Sequence, residues 1–263
     1  MYLGVDIGSS SSKCALLDDD KNILSVSVVN QGTGTDAYKE ALRMVLQRAN
    51  KSKEDIEYTV ATGYGRVGFK DANRQVTEIT CHSKGVDFLV PQTRLSIDIG
   101  GQDAKVLHLD EEGKVINFVM NVKCAAGPGR FLEVMARVLG CSICELSDLA
   151  AKHTKEISIS NVCTVFAESE VISRLASGEA LENVARGAHI AIAKRIKGLA
   201  ERVGYNSQIT MTGGVALNKD LIEVLTKEMN CEITASPYCQ EAGAVGAAII
   251  AYEMCHKGGK KDE

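Results

Sequence analysis

DIGSSSSK, at Asp6–Lys13 near the start of this chain, is echoed by DIGGQDAK at Asp98–Lys105. Both stretches open on Asp-Ile-Gly, and in both a lysine follows seven residues after the aspartate. Each comes after a short apolar run and leads into another run of strand character, so each predicts a β-hairpin. The repeat therefore indicates an α/β fold of two similar halves that hold one phosphate chain between them.

The turns of the two hairpins are rich in glycine and serine, which suits them to phosphate. Glycine permits positive φ and close approach, so backbone N–H groups and hydroxyls can face phosphate oxygens. Neither turn is a Walker loop, because its glycine and lysine order is missing and a strand rather than a helix follows. One such turn is an ordinary hairpin, but two favour a nucleotide. The residues predicted to hold phosphate are Gly8, Ser9, Ser10, Ser11, Ser12, Lys13, Gly100, Gly101 and Gln102.

The two aspartates that open these motifs, Asp6 and Asp98, each end the first strand of a predicted hairpin. A carboxylate at such a point can hold Mg²⁺ directly or through its water molecules. The repeat therefore predicts carboxylates near the metal of a bound nucleotide.

Composition excludes several classes of protein. The net charge of −4, the absence of tryptophan and an aromatic content of 5% argue against a nucleic-acid-binding groove. No apolar run approaches the ~20 residues that span a bilayer, and the chain begins without a basic, apolar signal. Nine cysteines, an odd number, indicate reduced thiols rather than a disulfide framework. We therefore expect a soluble cytoplasmic protein without nucleic-acid or membrane partners.

The second half of the chain is expected to restart at about Arg94. The predicted domains are residues 1–93, completed by a C-terminal helix at 247–256, and residues 94–246, with 257–263 as a flexible tail. Predicted strands lie at 2–5, 13–17, 23–29, 58–61, 95–97, 104–109, 115–120 and 208–211. Predicted helices lie at 38–49, 131–139, 169–177, 181–203, 218–229 and 242–255, with Asp36 as an N-cap and Pro128 opening the second helix.

Two glycine-rich loops follow predicted strands. Thr62–Arg66, TGYGR, suits a tight loop near a ligand or near the other half, and a simple strand-to-loop turn is an equal alternative. Thr212–Ala216, TGGVA, joins a strand to a helix. Such a junction brings backbone amides and a helix N-terminus to one point, which suits a phosphate or a nucleotide.

Two Asp-Ile-Gly hairpins, a late Thr-Gly-Gly-Val turn and a terminal helix that begins with small residues resemble the acetate and sugar kinase, heat-shock chaperone and actin superfamily of ATPases. The resemblance implies two ribonuclease-H-like domains, with mixed sheets flanked by helices and a nucleotide cleft between them. It implies adenosine contacts from Gly213, Gly214, Ala216, Asn218 and Gln240, and a second inter-domain connection at Gly243–Ala248. Many activities share this fold, so the fold does not choose a function.

Three further motifs narrow the resemblance: KCAAGPGRF at Lys123–Phe131, CTVFAESE at Cys163–Glu170 and ATGYGR at Ala61–Arg66. Together they look like the activator ATPases of (R)-2-hydroxyacyl-CoA dehydratases. That family includes the ATP-binding subunits of benzoyl-CoA reductases, and the resemblance covers residues 1–255.

The resemblance implies a homodimer that shares one 4Fe-4S cluster on its two-fold axis. Mapped onto this chain, the ligands would be Cys124 and Cys163 of both subunits. A cluster needs four thiolates, so two per chain make half a site and dimerisation completes it. The glycines of Gly127-Pro128-Gly129 would let the next helix direct its N-terminus at the cluster.

The rival metal site is Cys141 with Cys144, because Cys-x-x-Cys is a common ligand spacing. No second pair at a suitable spacing accompanies it. His82 is expected to be a loop or interface residue rather than a ligand. The cysteines expected to be non-ligands are Cys14, Cys81, Cys141, Cys144, Cys231, Cys239 and Cys255.

By resemblance, the chain would hydrolyse ATP while passing one electron from a ferredoxin or flavodoxin to a 2-hydroxyacyl-CoA dehydratase. Asp6, Asp98 and Asp103 would surround Mg²⁺ and the attacking water, and Lys13 and Gln102 would orient the γ-phosphate. The alternative is a sugar or acid kinase of the same superfamily, in which an aspartate deprotonates a substrate hydroxyl. A non-catalytic filament or chaperone module is a third possibility.

Overall fold

The computed structural model describes residues 1–121, 127–160, 164–205 and 208–257. Within these ranges the chain forms two five-stranded sheets flanked by helices, which confirms the predicted α/β class. The chain divides into two compact units. The first comprises Met1–Thr93, Leu109–Ile116 and the described residues from Ser236 onward, and the second comprises Arg94–His108 and Asn117–Ala235. No helix in the described part of the chain is long and apolar enough to cross a membrane.

The first sheet has the strand order β3-β2-β1-β4-β5. Its strands are β1 (Tyr2–Ile7), β2 (Ser12–Leu17), β3 (Ile23–Val29), β4 (Tyr58–Thr62) and β5 (Arg74–Gln75). The first three pair antiparallel, and β4 and β5 add in parallel on the other side of β1. The sheet is therefore mixed, as expected from the resemblance.

The second sheet repeats this arrangement, with the order β8-β7-β6-β9-β10. Its strands are β6 (Leu95–Ile99), β7 (Ala104–Leu109), β8 (Val115–Asn121), β9 (Ile209–Thr212) and β10 (Ile233–Ala235). β6 pairs antiparallel with β7 and parallel with β9, and β10 adds in parallel to β9. The sequence repeat thus corresponds to a repeat of topology.

Both predicted hairpins are confirmed, and their turns are alike. The first joins β1 to β2, and the Gly8 N–H donates to the Ser11 carbonyl at 3.0 Å. The second joins β6 to β7, and the Gly100 N–H donates to the Asp103 carbonyl, also at 3.0 Å. The spacing of seven residues between the aspartate and the lysine of each motif places the two opposite each other across one such turn.

Eight α-helices lie in the described ranges: α1 (Ala37–Ala49), α2 (Glu78–Leu89), α3 (Pro128–Val138), α4 (Leu146–Ala150), α5 (Thr164–Ala176), α6 (Leu181–Val203), α7 (Lys219–Met229) and α8 (Ala242–Lys257). Asp36 is the N-cap residue of α1, but its side chain makes no capping hydrogen bond. Pro128 stands in the first turn of α3, as predicted. α5 begins five residues before the predicted Ser169.

The sequence analysis did not predict α2, and the expectation that His82 lies in a loop is wrong. His82 is a buried residue within this helix. The helix carries a central glycine, Gly85, which lowers intrinsic helix propensity. Packing stabilises it instead, because α2 runs closely along α8.

Glycines allow α2 and α8 to approach to backbone contact. A Cβ at Gly85 would overlap the Ala242 carbonyl oxygen, and a Cβ at Gly246 would overlap the Cys81 carbonyl oxygen. On the neighbouring sheet, a Cβ at Gly4 of β1 would overlap the Ala244 carbonyl oxygen. The small residues that begin α8 therefore seat this helix on the first sheet and on α2.

Alternation along β1 and β2 places helices on both faces of the first sheet. Leu3, Val5 and Ile7 pack in one cluster with the apolar face of α1. The alternate residues Ala15 and Leu17 of β2 pack with α8. Period-two patterning in these strands thus builds a three-layer unit.

We predict that Gly246→Ala destabilises the protein by about 2 to 3 kcal/mol, because the added methyl group must displace the α2 backbone. Gly198→Ala is the matched control, since Gly198 lies within α6 and a Cβ there meets nothing within 4 Å. The control should gain roughly 0.5 to 1 kcal/mol from reduced chain entropy. Urea denaturation measures both, and equal effects of the two substitutions would contradict the packing of α8 on α2.

Candidate functional site

The first turn presents serines at the end of β1. Ser9, Ser10 and Ser11 lie in the turn and are half-buried or exposed. The Gly8 carbonyl accepts from the Thr33 amide and hydroxyl at 2.9 and 3.0 Å, which anchors the turn to the loop after β3. Ser12 differs from its neighbours, because it is buried in β2 and donates to the Gln31 carbonyl at 3.0 Å.

The Asp6 carboxylate and the Lys13 ammonium face each other across this hairpin. Their register places the two residues opposite each other, and the Nζ to Oδ2 distance is 3.3 Å. α8 begins beside them, since a Cβ at Gly243 would lie 3.2 Å from Asp6 Oδ2. A helix N-terminus carries partial positive charge, so this corner of the first unit suits an anion.

Glu241 and Gln240 lie in the turn that leads into α8. Burial raises the pKa of the Glu241 carboxyl, although the charges of Lys13 and Arg48 act in the opposite direction. Gln240 is half-buried and belongs to the first unit, whereas the other residues predicted to meet adenosine belong to the second.

The second turn contains a more deeply buried ionic cluster. The Lys105 ammonium lies 3.2 Å from Asp98 Oδ2 and 3.1 Å from Asp103 Oδ2. The side chains of all three residues are at most 10% exposed. One cation between two carboxylates leaves a local negative charge. Because Mg²⁺ is commonly held by one or two carboxylates together with nucleotide phosphates, this donor set fits that metal.

A threonine and a glycine complete each hairpin, and the sequence analysis missed this second level of the repeat. Thr62 ends β4 opposite Asp6, and Thr212 ends β9 opposite Asp98. The glycines that follow them, Gly63 and Gly213, have φ values of +83° and +84°. The signal was available, since Thr-Gly follows an apolar strand in both halves.

Gly213 shows why a glycine is required at this point. A Cβ there would lie 2.8 Å from Asp98 Oδ1 and would overlap the Ile99 carbonyl oxygen. Positive φ is strained for other residues, so two separate constraints select glycine. The Thr212 hydroxyl also donates to Asp98 Oδ1 at 3.4 Å. The turn after β9 is thus fixed directly to the aspartate of the second hairpin.

After Gly213 the chain forms a short 3-10 turn, Gly214–Leu217, and then enters α7. Asn218 is the N-cap of this helix, and its Oδ1 accepts from the Leu221 N–H at 2.9 Å. The predicted junction of strand, glycine turn and helix is therefore confirmed. It brings together four of the residues predicted to meet adenosine, namely Gly213, Gly214, Ala216 and Asn218.

The second turn also contacts the start of α3 through backbone atoms. The Gly129 N–H donates to the Gly100 carbonyl at 3.2 Å, and the Arg130 N–H donates to the Gly101 carbonyl at 2.9 Å. A Cβ at Gly127 would overlap the backbone of Gln102. The second turn therefore accepts the first free N–H groups of α3, and its backbone lies directly against the start of this helix.

Cys124 and Cys163, the predicted cluster ligands, lie outside the described residues. Helices begin shortly after both of them in the chain. Gly127, three residues after Cys124, is the N-cap of α3, and α5 begins at Thr164, directly after Cys163. These two helices pack against each other. A thiolate near a helix N-terminus is stabilised by the helix dipole, so the position of both helices fits thiolate ligands.

Other cysteines are placed by the structure. Cys14 and Cys81 are buried, and burial raises the pKa of the Cys81 thiol to about 12. Cys141 is half-buried and Cys144 is exposed, and both are free. Within the part of the chain that the structure describes, no three histidine, cysteine or acidic side chains are grouped so as to hold a metal ion.

Known proteins resemble the whole chain. The profile of the BadF/BadG/BcrA/BcrD ATPase family matches residues 3–251. The "Activator of lactoyl-CoA dehydratase" of Anaerotignum propionicum is 49% identical over 258 residues, which are 98% of this chain and 100% of that protein. The "(R)-2-hydroxyglutaryl-CoA dehydratase activating ATPase" of Acidaminococcus fermentans is 47% identical over 256 residues, covering 97% and 98%.

Solved structures also resemble this chain over nearly its full length. The activator of the 2-hydroxyisocaproyl-CoA dehydratase from Clostridium difficile, solved with bound ADPNP, has a TM-score of 0.96 at 42% identity, covering 100% of this chain and 98% of that one. A ROK family glucokinase from Streptomyces griseus has a TM-score of 0.60 at 14% identity, covering 96% and 99%. The glucokinase shares the fold alone, and the two structures together confirm the predicted fold class of two domains with mixed sheets flanked by helices.

We predict that Lys105→Met costs about 3 to 5 kcal/mol of folding stability, because it leaves two buried carboxylates without their cation. Lys13→Met is the matched substitution in the other hairpin, where one carboxylate is involved and both side chains are 16% exposed. It should cost less than half as much. Urea denaturation of nucleotide-free protein measures the difference. A similar loss in both variants would mean that burial does not distinguish the two lysines.

Proposed function

This chain belongs to the BadF/BadG/BcrA/BcrD ATPase family, and we propose that it is an ATP-hydrolysing activator of a 2-hydroxyacyl-CoA dehydratase. The observation that carries the proposal is the similarity to dehydratase activators, at 47 to 49% identity over nearly the full length of both chains. The kinase alternative has no comparable support, since the glucokinase shares the fold at 14% identity.

ATP and ADP are the ligands of the two turns in this proposal. Gly8–Ser11 and Gly100–Gln102 offer the backbone N–H groups and hydroxyls for the phosphates. Asp6, Asp98 and Asp103 would hold Mg²⁺ and the attacking water, with Lys13 and Gln102 at the γ-phosphate. The donor set supports this assignment, because carboxylates and lysines converge on each hairpin. The adenosine would be met by the turn at Gly213, Gly214, Ala216 and Asn218, and by Gln240.

Dimerisation would complete the site for the 4Fe-4S cluster, with Cys124 and Cys163 supplied by each subunit. The exposed face of α5 supports this arrangement. Val165 and Phe166, two and three residues after Cys163, are 67% and 70% exposed, and Ile172 is 53% exposed. Apolar side chains on one helix face commonly mark a protein interface. A two-fold contact along α5 would cover them and bring the thiols of two subunits together.

The cluster would supply one electron, received from a ferredoxin or flavodoxin and passed to the dehydratase. ATP would be hydrolysed to ADP and phosphate without phosphorylating a substrate. For a one-electron couple, ~59 mV corresponds to ~1.4 kcal/mol, so a nucleotide-dependent difference of several kcal/mol would shift the potential substantially. The chain must therefore connect its phosphate turns mechanically to its cysteines.

The contact between the second turn and α3 supports such a connection. The Gly100 and Gly101 carbonyls hold the first turn of the helix that comes after Cys124. A nucleotide that displaces Gln102 would displace Gly127 as well, because their backbones touch. The N-terminus of α3, with its dipole, would then shift relative to the cluster that Cys124 would hold.

The cluster assignment is tested by the iron content of anaerobically purified protein. The wild type should be brown and dimeric, with about four irons per dimer. Cys124→Ala should lose the colour and most of the iron, because it removes two of the four thiolates from each dimer. Cys144→Ala, which removes an exposed cysteine with no expected ligand role, is the control and should keep both. Full iron content in the Cys124 variant would contradict the assignment of Cys124 as a cluster ligand. A colourless wild type would favour a kinase.

The phosphate turn is tested separately with Gly127→Ala. The added methyl group must push the Gln102 backbone out of place, so we expect ATP and ADP to bind about tenfold more weakly, or ~1.4 kcal/mol. Gly198→Ala is again the control and should bind like the wild type. Isothermal titration calorimetry measures both. Unchanged affinity in the Gly127 variant would show that this turn does not hold the phosphates.

A further inference from the structure

A network of four buried polar side chains joins α6 to the start of α7 in the second unit. Arg186 and His189 come from α6, and Asn218 and Asp220 come from the N-cap and first turn of α7. Their exposures are 2%, 0%, 8% and 3%, so all four are removed from water. Burying ionic groups costs free energy unless each finds a partner, so the pairing within this network has to be specific.

The hydrogen bonds of Asn218 fix the state of the histidine. Asn218 Oδ1 accepts from the Leu221 N–H, so its amide nitrogen faces the other way and lies 3.0 Å from His189 Nε2. An amide nitrogen can only donate, so Nε2 must accept and carries no proton. The imidazole proton is therefore on Nδ1, which donates to Asp220 Oδ2. These hydrogen bonds fix the orientation of the imidazole, with Nδ1 toward Asp220 and Nε2 toward Asn218.

Asp220, which accepts from the other ring nitrogen of His189, is ionised and firmly held. Arg186 Nη1 donates to its second oxygen at 2.7 Å, and its own backbone N–H donates to the Ser147 hydroxyl at 3.1 Å. Burial acts to raise the pKa of Asp220, but the His189 hydrogen bond and the Arg186 charge together hold it below its ordinary value. Arg186 thus balances the carboxylate, and His189 is left to orient Asn218.

We propose that His189 is a positioning residue for nucleotide binding: its Nε2 holds the Asn218 amide, and through it the turn Gly213–Leu217, in the conformation that meets adenosine. This inference rests on the proposed function, which places adenosine at that turn. Stability alone does not account for this network, because apolar residues of similar volume commonly replace buried ionic groups without loss of folding stability. Orientation of the capping amide does account for it.

The test compares two variants of His189 with two probes, ADP and inorganic pyrophosphate. His189→Leu removes both ring hydrogen bonds, and it should weaken ADP at least tenfold while pyrophosphate, which needs only the phosphate turns, binds as to the wild type. His189→Gln should restore ADP affinity to within about threefold, because its amide can accept from Asn218 and donate to Asp220. His153→Leu is the control, since His153 is half-buried and its ring contacts only the Ala150 carbonyl among the hydrogen bonds described.

Equal losses of ADP and pyrophosphate affinity in His189→Leu would overturn the proposal in favour of a purely structural role, as would unchanged ADP affinity in the folded variant. Should His189→Leu fail to fold, His189→Phe gives the comparison instead, because its ring occupies the place of the imidazole but offers Asn218 no acceptor. Unchanged ADP affinity there overturns the proposal. A wild type that binds neither probe would refute the proposed function itself, a result distinct from a wild type that binds both while the variants behave alike.

Discussion

A lysine placed opposite an aspartate across a four-residue turn is the constraint on which each half of this protein depends. It sets the hairpin register, because a slip of one residue would send the two charges to opposite faces of the sheet. In the second unit the pair is buried together with Asp103, so the ammonium is needed to keep two carboxylates in a site with little water. The aspartates that are proposed to hold Mg²⁺ therefore also take part in setting the strand register.

Glycine provides the second constraint, because it lets backbones meet without side chains between them. Gly213 approaches Asp98, and Gly127 approaches Gln102, so the segments on either side of the second turn touch it directly. A contact made through flexible side chains would absorb a small displacement. A contact made through backbone carbonyls and helix N–H groups transmits it, which is what the proposed coupling between the second turn and the cysteine segment requires.

The sequence predicted what depends on local pattern and missed what depends on distant contact. The hairpins, α6, α7 and the turn after β9 follow from apolar spacing and glycine placement within short windows. α2 could not be predicted in this way, because its stability comes from α8, more than 150 residues later. His189 carries no local signal either, since its partners Asn218 and Asp220 are 29 and 31 residues away and meet it only when α6 packs on α7.

The two halves share a topology but have diverged after their Thr-Gly steps. A short 3-10 turn follows in both units, but in the first unit the chain continues from it to strand β5 rather than to a helix, and Tyr64 and Val67 are 51% and 60% exposed. In the second it enters a helix whose N-cap is held by a buried histidine and carboxylate. In the proposed function, four of the five residues that meet adenosine belong to the second unit. The buried polar network, which costs free energy of desolvation, accordingly lies beside the turn where adenosine is proposed to bind. The equivalent segment of the first unit is exposed.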